Sequence, residues 1–347
     1  MTLRGTSVRR REDEPLLRGS GNYVAGVHLE NAAQVYYLVS TIAHAEILSV
    51  DITDALLAPG VIDVVLHKDL DIGPYPAGNP IFDEAMVRPL LADQRVRYVG
   101  EPIAAVVAET IAQAMDAAEL IAIDFQSRPA IIDPEKALNT STLLFDGTKE
   151  GNIVCRMQAE GLEADFSSCE VISEVRTVNN RLAPAPIETR VAAAEWHADG
   201  RLYCYNSGQG PHPVRSAIAK ILNLQEEQVR VISRDVGGSF GAKARPFPEE
   251  VLLGWLARRI GRPVKWVPPR SDDMVGLGHG RGQIQYCKIG GSRDGNITAY
   301  QLHIVQESGA YPAGGAGLPS NARAMLTCLL YTSPSPRDQR GSRMRAC

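Results

Sequence analysis

The stretch VRVISRDVGGSFGAKARPFPEEVLLGWLARRIG, from Val229 to Gly261, reads as a strand, a glycine loop and a helix in that order. Val229, Val231, Ile232 and Val236 supply the β-branched character of a strand over 229–236. Pro248 opens a helix that runs to Ile260. Glu249 and Glu250 fall in its first turn and Arg258 and Arg259 in its last, the order that suits a helix dipole, and Gly261 is a natural C-cap. Between strand and helix lies Gly237-Gly238-Ser239-Phe240-Gly241-Ala242-Lys243. Glycines let a backbone turn sharply, come close to a ligand and present N–H donors to an anionic or oxo-bearing group. A phosphate-binding P-loop needs Lys directly after Gly and then Ser or Thr, but Ala242 intervenes and Ala244 follows. The G-x-G-x-x-G dinucleotide pattern does not fit either. The bland alternative is a tight strand-to-helix connection.

Upstream, Ser207-Gly208-Gln209-Gly210-Pro211-His212 leads into a helix marked by Val214, Ile218, Ile221 and Leu222. Gln209 can donate and accept hydrogen bonds there, or serve only as a polar turn residue. His212 has no metal-ligand partner at useful spacing and reads as a capping or surface residue. Nearer the N-terminus, 61–66 and 103–107 read as strands, 111–118 as a helix and 120–125 as another strand, together a compact β-α-β unit. Residues 129–152 hold Pro129, Pro134, Asn139 and Gly147 and read as a connection to a second region. A strand starts at Val264, after Pro263. There is no internal repeat.

The 347 residues are 44% hydrophobic and 22% charged, with a formal net charge of -4. That balance gives nothing that invites nucleic acid or an anionic membrane. No apolar run approaches the about 18 residues of a transmembrane helix, and the charged start lacks the apolar segment of a secretory signal. A cytoplasmic location is the expectation. The six cysteines form no C-x-x-C pair, which argues against zinc or iron–sulfur ligation by this chain and for free thiols.

The motifs, taken in order, resemble the large subunits of xanthine dehydrogenases, aldehyde oxidases and carbon monoxide dehydrogenases, over roughly residues 5–327. The resemblance begins at Arg18-Gly19-Ser20-Gly21-Asn22-Tyr23 and continues through Ala43–Ile47, Pro59-Gly60-Val61 and Val96–Pro102. These are similar to the family's hammerhead domain. Pro186-Ile187-Glu188-Thr189 resembles the opening of the molybdenum-binding region, with Thr189 where Pro is usual. Ser207–Arg215 resembles a T-Q-x-P-H-x-x-R segment and Gly237–Lys243 a G-G-x-F-G-x-K loop. Val264-Lys265-Trp266, Arg270 and Gly309-Ala310-Tyr311 follow in the family's order.

The resemblance implies an α+β fold: a lead segment over 1–18, an α/β hammerhead domain over 19–137, a linker over 138–153, and over 154–330 the first part of a molybdenum-cofactor-binding domain. It implies that Gln209, Phe240 and Gly241, flanked by Gly238 and Ser239, border a molybdenum–molybdopterin cofactor in its cytosine dinucleotide form. The implied reaction hydroxylates an aldehyde or N-heterocycle with water, or oxidises carbon monoxide. Electrons then pass to 2Fe-2S and FAD groups on a small iron–sulfur subunit and a medium flavin subunit, in a hetero-oligomer. Ala244 stands where purine-oxidising members carry a glutamate, which weighs against xanthine. The family's catalytic glutamate lies beyond residue 347, so no catalytic base or metal ligand is assigned and the chain alone is expected to be inactive. Residues 331–347, YTSPSPRDQRGSRMRAC, lack periodicity and read as a non-native or disordered tail. The competing expectation is a structural fragment that binds partner subunits without cofactor.

Overall fold

The computed structural model describes residues 4–5, 7–75, 79–157 and 163–319. The expectation for the tail at 331–347 lies outside the described residues. The strands are β1 (Ala33–Val39), β2 (Ala45–Asp51), β3 (Val61–Leu66), β4 (Arg95–Val96), β5 (Pro102–Ala108), β6 (Ala122–Ser127), β7 (Val171–Asn179), β8 (Ala192–Trp196), β9 (Leu202–Asn206), β10 (Val229–Ile232), β11 (Val264–Trp266), β12 (Gln283–Gly291) and β13 (Ile297–Gln306). The α-helices are α1 (Asp13–Leu17), α2 (Thr53–Leu57), α3 (Ile111–Glu119), α4 (Pro134–Ala137), α5 (Pro211–Ile221), α6 (Pro248–Ile260) and α7 (Arg270–Gly276). Packing divides the described residues into two compact units, one drawn from 4–75, 89–128 and 184–277, the other from 79–88, 129–183 and 278–319.

The first unit is built on a seven-stranded mixed sheet in the order β10-β9-β8-β11-β1-β5-β3. Residues 19–137 and 154–330 both contribute strands to it. The junction is β11, parallel to β1 on one side and antiparallel to β8 on the other. Side chains alternate across a strand, so each strand can feed two cores. In β5, Ala105 and Val107 join the core that holds Leu252, Leu253 and Leu256 of α6 and Val214 and Ile218 of α5. Ala104, Val106 and Ala108 face the opposite core, with Ala114, Ala117 and Ala118 of α3. This explains why PIAAVVA is apolar without alternation: every residue of β5 is buried.

Local chemistry sets the helix ends. Thr110 caps α3, accepting from the Gln113 N–H at 3.3 Å, while the Gln113 side chain returns to the Thr110 N–H at 3.1 Å. The α6 helix runs over the expected Pro248–Ile260 and stops at Gly261, whose φ of +66° is the left-handed C-terminal cap. The expected β-α-β unit is a correction. Its strand, helix and strand all form, but β5 lies in the seven-stranded sheet and β6 in a separate one, β4-β2-β6. The chain crosses between sheets because the apolar side of β6, Ile123 and Phe125, packs with Ala45, Val96 and Ile103.

The second unit contains the antiparallel sheet β13-β12-β7. Asp133 caps the short α4, accepting from the Glu135 N–H at 2.9 Å, and Glu135 in turn pairs with Arg176 of β7 at 2.6 Å. Phe145 meets Tyr311 edge to face, with ring centroids 5.4 Å apart. Cys155, Cys169, Cys204 and Cys287 are free thiols. No helix among the described residues is long and apolar enough to cross a membrane.

Candidate functional site

The chain leaves β10 at Ile232, earlier than the expected Val236. Ser233 turns its hydroxyl to Asn206 Oδ1 at 2.7 Å, and Asp235 accepts the Asn22 N–H at 2.6 Å. Side chains thus take over from the sheet ladder, and the glycine loop begins. Gly238, Phe240 and Gly241 have φ values of +106°, +53° and +91°. A non-glycine residue in this region costs about 1–2 kcal/mol, so the conformation of Phe240 must be imposed by its surroundings. Gly237 is glycine for another reason: a Cβ there would stand 2.5 Å from Cβ of Glu188.

Gln209 is pinned to this loop. Its Oε1 accepts the Gly241 N–H at 2.7 Å and also the Ser239 hydroxyl. Both partners donate, which fixes the amide orientation: oxygen toward the loop, the NH2 end away from it. The Gln209 N–H donates to the carbonyl of Lys243 at 3.0 Å. The structure therefore joins Gln209, Ser239 and Gly241 directly, with Phe240 between the last two and Gly238 beside them. Phe240 is 77% exposed. A Cβ built on Gly241 would meet nothing within 4 Å, so the space over the loop is open. His212 sits exposed in the first turn of α5 and takes no part.

Beneath the loop lies a buried charged layer that sequence reading did not anticipate. Lys243 donates through Nζ to the carbonyls of Glu188 at 2.8 Å and Thr189 at 3.0 Å. Burial pulls its ammonium below the usual lysine range, against the opposing fields of Glu188, Asp273 and Glu250. Burial also disfavours the charge on Arg190, but Glu249 and Asp273 together outweigh it and hold its pKa above the ordinary value. Glu250 is pushed up to about 7 by burial, partly countered by Arg190 and by a 3.2 Å hydrogen bond from Asn206. A charged residue in a loop usually reads as solvated. The one available signal was that Lys243 closes the same glycine motif.

The mixed seven-stranded sheet with helices packed on it, and the separate antiparallel sheets, define an α+β protein with an open glycine loop tied to a glutamine. Residues 145–337 match the model of the molybdopterin cofactor-binding domain. Residues 18–129 match that of the aldehyde oxidase and xanthine dehydrogenase a/b hammerhead domain. The chain belongs to the molybdenum hydroxylase large-subunit family. It is 34% identical to the nicotine 6-hydroxylase large subunit of Paenarthrobacter nicotinovorans, over 88% of this chain and 38% of the relative. It is 30% identical to the carbon monoxide dehydrogenase large chain of Afipia carboxidovorans, over 89% of this chain and 40% of the relative. Among solved structures, quinoline 2-oxidoreductase from Pseudomonas putida 86 superposes with a TM-score of 0.83 at 34% identity, covering 88% of this chain and 40% of that one. The chain thus spans well under half the length of these relatives.

Proposed function

We propose that the chain is the cofactor-holding part of an oxidoreductase that hydroxylates an N-heterocycle or aldehyde with water, or oxidises carbon monoxide. In this reading Gln209, Gly238, Ser239, Phe240 and Gly241 hold the molybdenum–molybdopterin cofactor, in its cytosine dinucleotide form. The observation that carries it is the 2.7 Å bond from the Gly241 N–H to Gln209 Oε1, which ties a donor-bearing amide to the loop residue that follows the exposed Phe240. The residues fit such a group. The space above Gly241 is open, Phe240 presents an uncovered ring at strained φ, and Glu188 Oε1 is a buried oxygen without a hydrogen-bond partner among the described residues.

When bound, the cofactor supplies the redox centre and activates water-derived oxygen. The chain's own residues bind and orient it. The NH2 end of Gln209 donates without adding a competing metal ligand, and the Phe240 ring covers an apolar face. The relatives named for nicotine and quinoline support an N-heterocyclic substrate, and Ala244 supports one other than a purine. Iron–sulfur and flavin groups would sit on a small and a medium partner subunit, in a cytoplasmic hetero-oligomer. The segments 19–137, 138–153 and 154–330 are read as hammerhead domain, linker and partial cofactor domain. The test is metal and nucleotide analysis of the purified protein. Molybdenum and acid-released cytidine monophosphate in equal amounts are expected. Absence of both would favour a structural role without cofactor, and molybdenum with another nucleotide would overturn the dinucleotide assignment.

A further inference from the structure

We propose that Glu188 and Lys243 are positioning residues that clamp the glycine loop from beneath, so that Gln209, Phe240 and Gly241 stand in their ligand-facing geometry before any ligand arrives. What the loop is shaped for rests on the cofactor reading above; the clamp itself rests on geometry alone.

Two segments are joined, Pro186–Arg190 and Gly237–Lys243. Glu188 and Gly237 bond reciprocally: the Glu188 N–H donates to the Gly237 carbonyl at 3.1 Å, and the Gly237 N–H donates to Glu188 Oε2 at 2.7 Å. At the far end, the Lys243 ammonium reaches the Glu188 and Thr189 carbonyls at 2.8 and 3.0 Å and the Ser207 hydroxyl at 3.4 Å. An ammonium has three donors; two go to backbone carbonyls and the third to the Ser207 hydroxyl, which leaves none for solvent. The backbone of Lys243 is tied as well. Its N–H donates to Ser239 Oγ at 3.0 Å and its carbonyl accepts from the Gln209 N–H at 3.0 Å. One residue therefore holds the segment below, the loop and the glutamine.

A tight turn needs none of this. Burying a lysine to 1% exposure is costly, and a hydrophobic side chain would fill the same space without the desolvation. What the ammonium adds is a fixed hydrogen-bond geometry. That is what Phe240, left-handed at φ +53° without being glycine, requires, since strained backbone persists only when its surroundings over-determine it. A preformed loop avoids the cost of ordering on binding.

The test uses hydrogen exchange of residues 236–243 in the purified chain, together with its molybdenum content, for Glu188→Ala, Glu188→Gln and Lys243→Met. Loss of the clamp should speed exchange of the Gly237 and Gly241 amides about tenfold in the alanine and methionine variants and lower molybdenum per chain. Glu188→Gln keeps an acceptor for the Gly237 N–H and should restore both readings, whereas Glu188→Met, which fills similar space without an acceptor, should not; rescue by methionine as well would mark a packing defect and overturn the clamp. If Lys243→Met does not fold, the Glu188 pair still decides the question. Exchange unchanged in Glu188→Ala, or equally fast in Glu188→Gln, overturns the clamp. Normal clamp behaviour in a wild-type chain that carries no molybdenum upholds the clamp and removes the cofactor reading instead.

Discussion

Oδ1 of Asp273 accepts both the backbone N–H of Arg190 at 3.1 Å and its Nε at 3.0 Å, in a site where neither side chain is more than 2% exposed. Glu249 Oε1 takes Nη1 at 2.9 Å, and the guanidinium lies 4.6 Å from the ring centroid of Phe247. Breaking such a group strands buried charge, and typically costs about 3–5 kcal/mol. Arg190→Met is expected to lose that much in urea unfolding, because Asp273 and Glu249 would be left facing one another. A loss below about 1 kcal/mol would mean that the triad relaxes to solvent.

Two glycines separate packing from backbone strain. A Cβ at Gly254, in the middle of α6, would lie 2.8 Å from Leu202 Cδ2 and 2.9 Å from Leu222 Cδ1. Alanine is the better helix former by about 0.8–1.0 kcal/mol, but overpacking costs about 1–3 kcal/mol. Gly254→Ala should therefore destabilise the fold in thermal melts without touching the loop. Gly241→Ala meets no neighbour and pays only for its φ of +91°, about 1–2 kcal/mol. Its larger effect should be on molybdenum content. Equal molybdenum in the Gly241 variant and wild type would speak against ligand approach over that residue.

Glu250 gives the fold a pH signature. Its pKa rises to about 7 on folding, from an ordinary carboxyl value of 4.5, because it is buried. The native state thus keeps a proton that the unfolded chain releases. This contribution to stability is complete below the unfolded pKa and is lost as pH rises to about 7, on the order of 3 kcal/mol in all. Glu250→Gln mimics the neutral acid and should abolish that slope. The stability of the variant relative to wild type should climb between about pH 4.5 and 7 and then level off. A difference independent of pH would show that Glu250 is charged in the fold.

Much of this architecture is legible in the chain where local rules and tertiary packing agree. The α6 helix is the clearest case: proline at the start, acids then bases, glycine at the end. Yet the same Glu249 and Glu250 that read as helix-dipole residues are buried partners of Arg190 and Asn206. No local pattern reveals that, because the partners lie 59 and 44 positions away. The sheet β13-β12-β7 escaped notice because its sequences, such as QIQYCKIGG, mix polar and apolar residues and β7 is exposed throughout. In the site, Gln209 and the loop stood out by motif and are joined by hydrogen bonds. Glu188 and Lys243 were visible only as letters within motifs, since burial is what gives them their roles.

The place of β11 between β1 and β8 has a consequence for how the chain reaches its fold. Ala33 must find Val264, about 230 residues along the chain, before the large sheet is continuous. Until Trp266 has been synthesised, β1 has no partner on that side and keeps an open row of N–H and C=O groups. Nascent chains therefore carry an adhesive strand edge throughout the about 230 residues that separate Ala33 from Val264, and so long a closure is slow. Truncations ending before residue 264 should therefore aggregate where those ending after β11 stay dispersed.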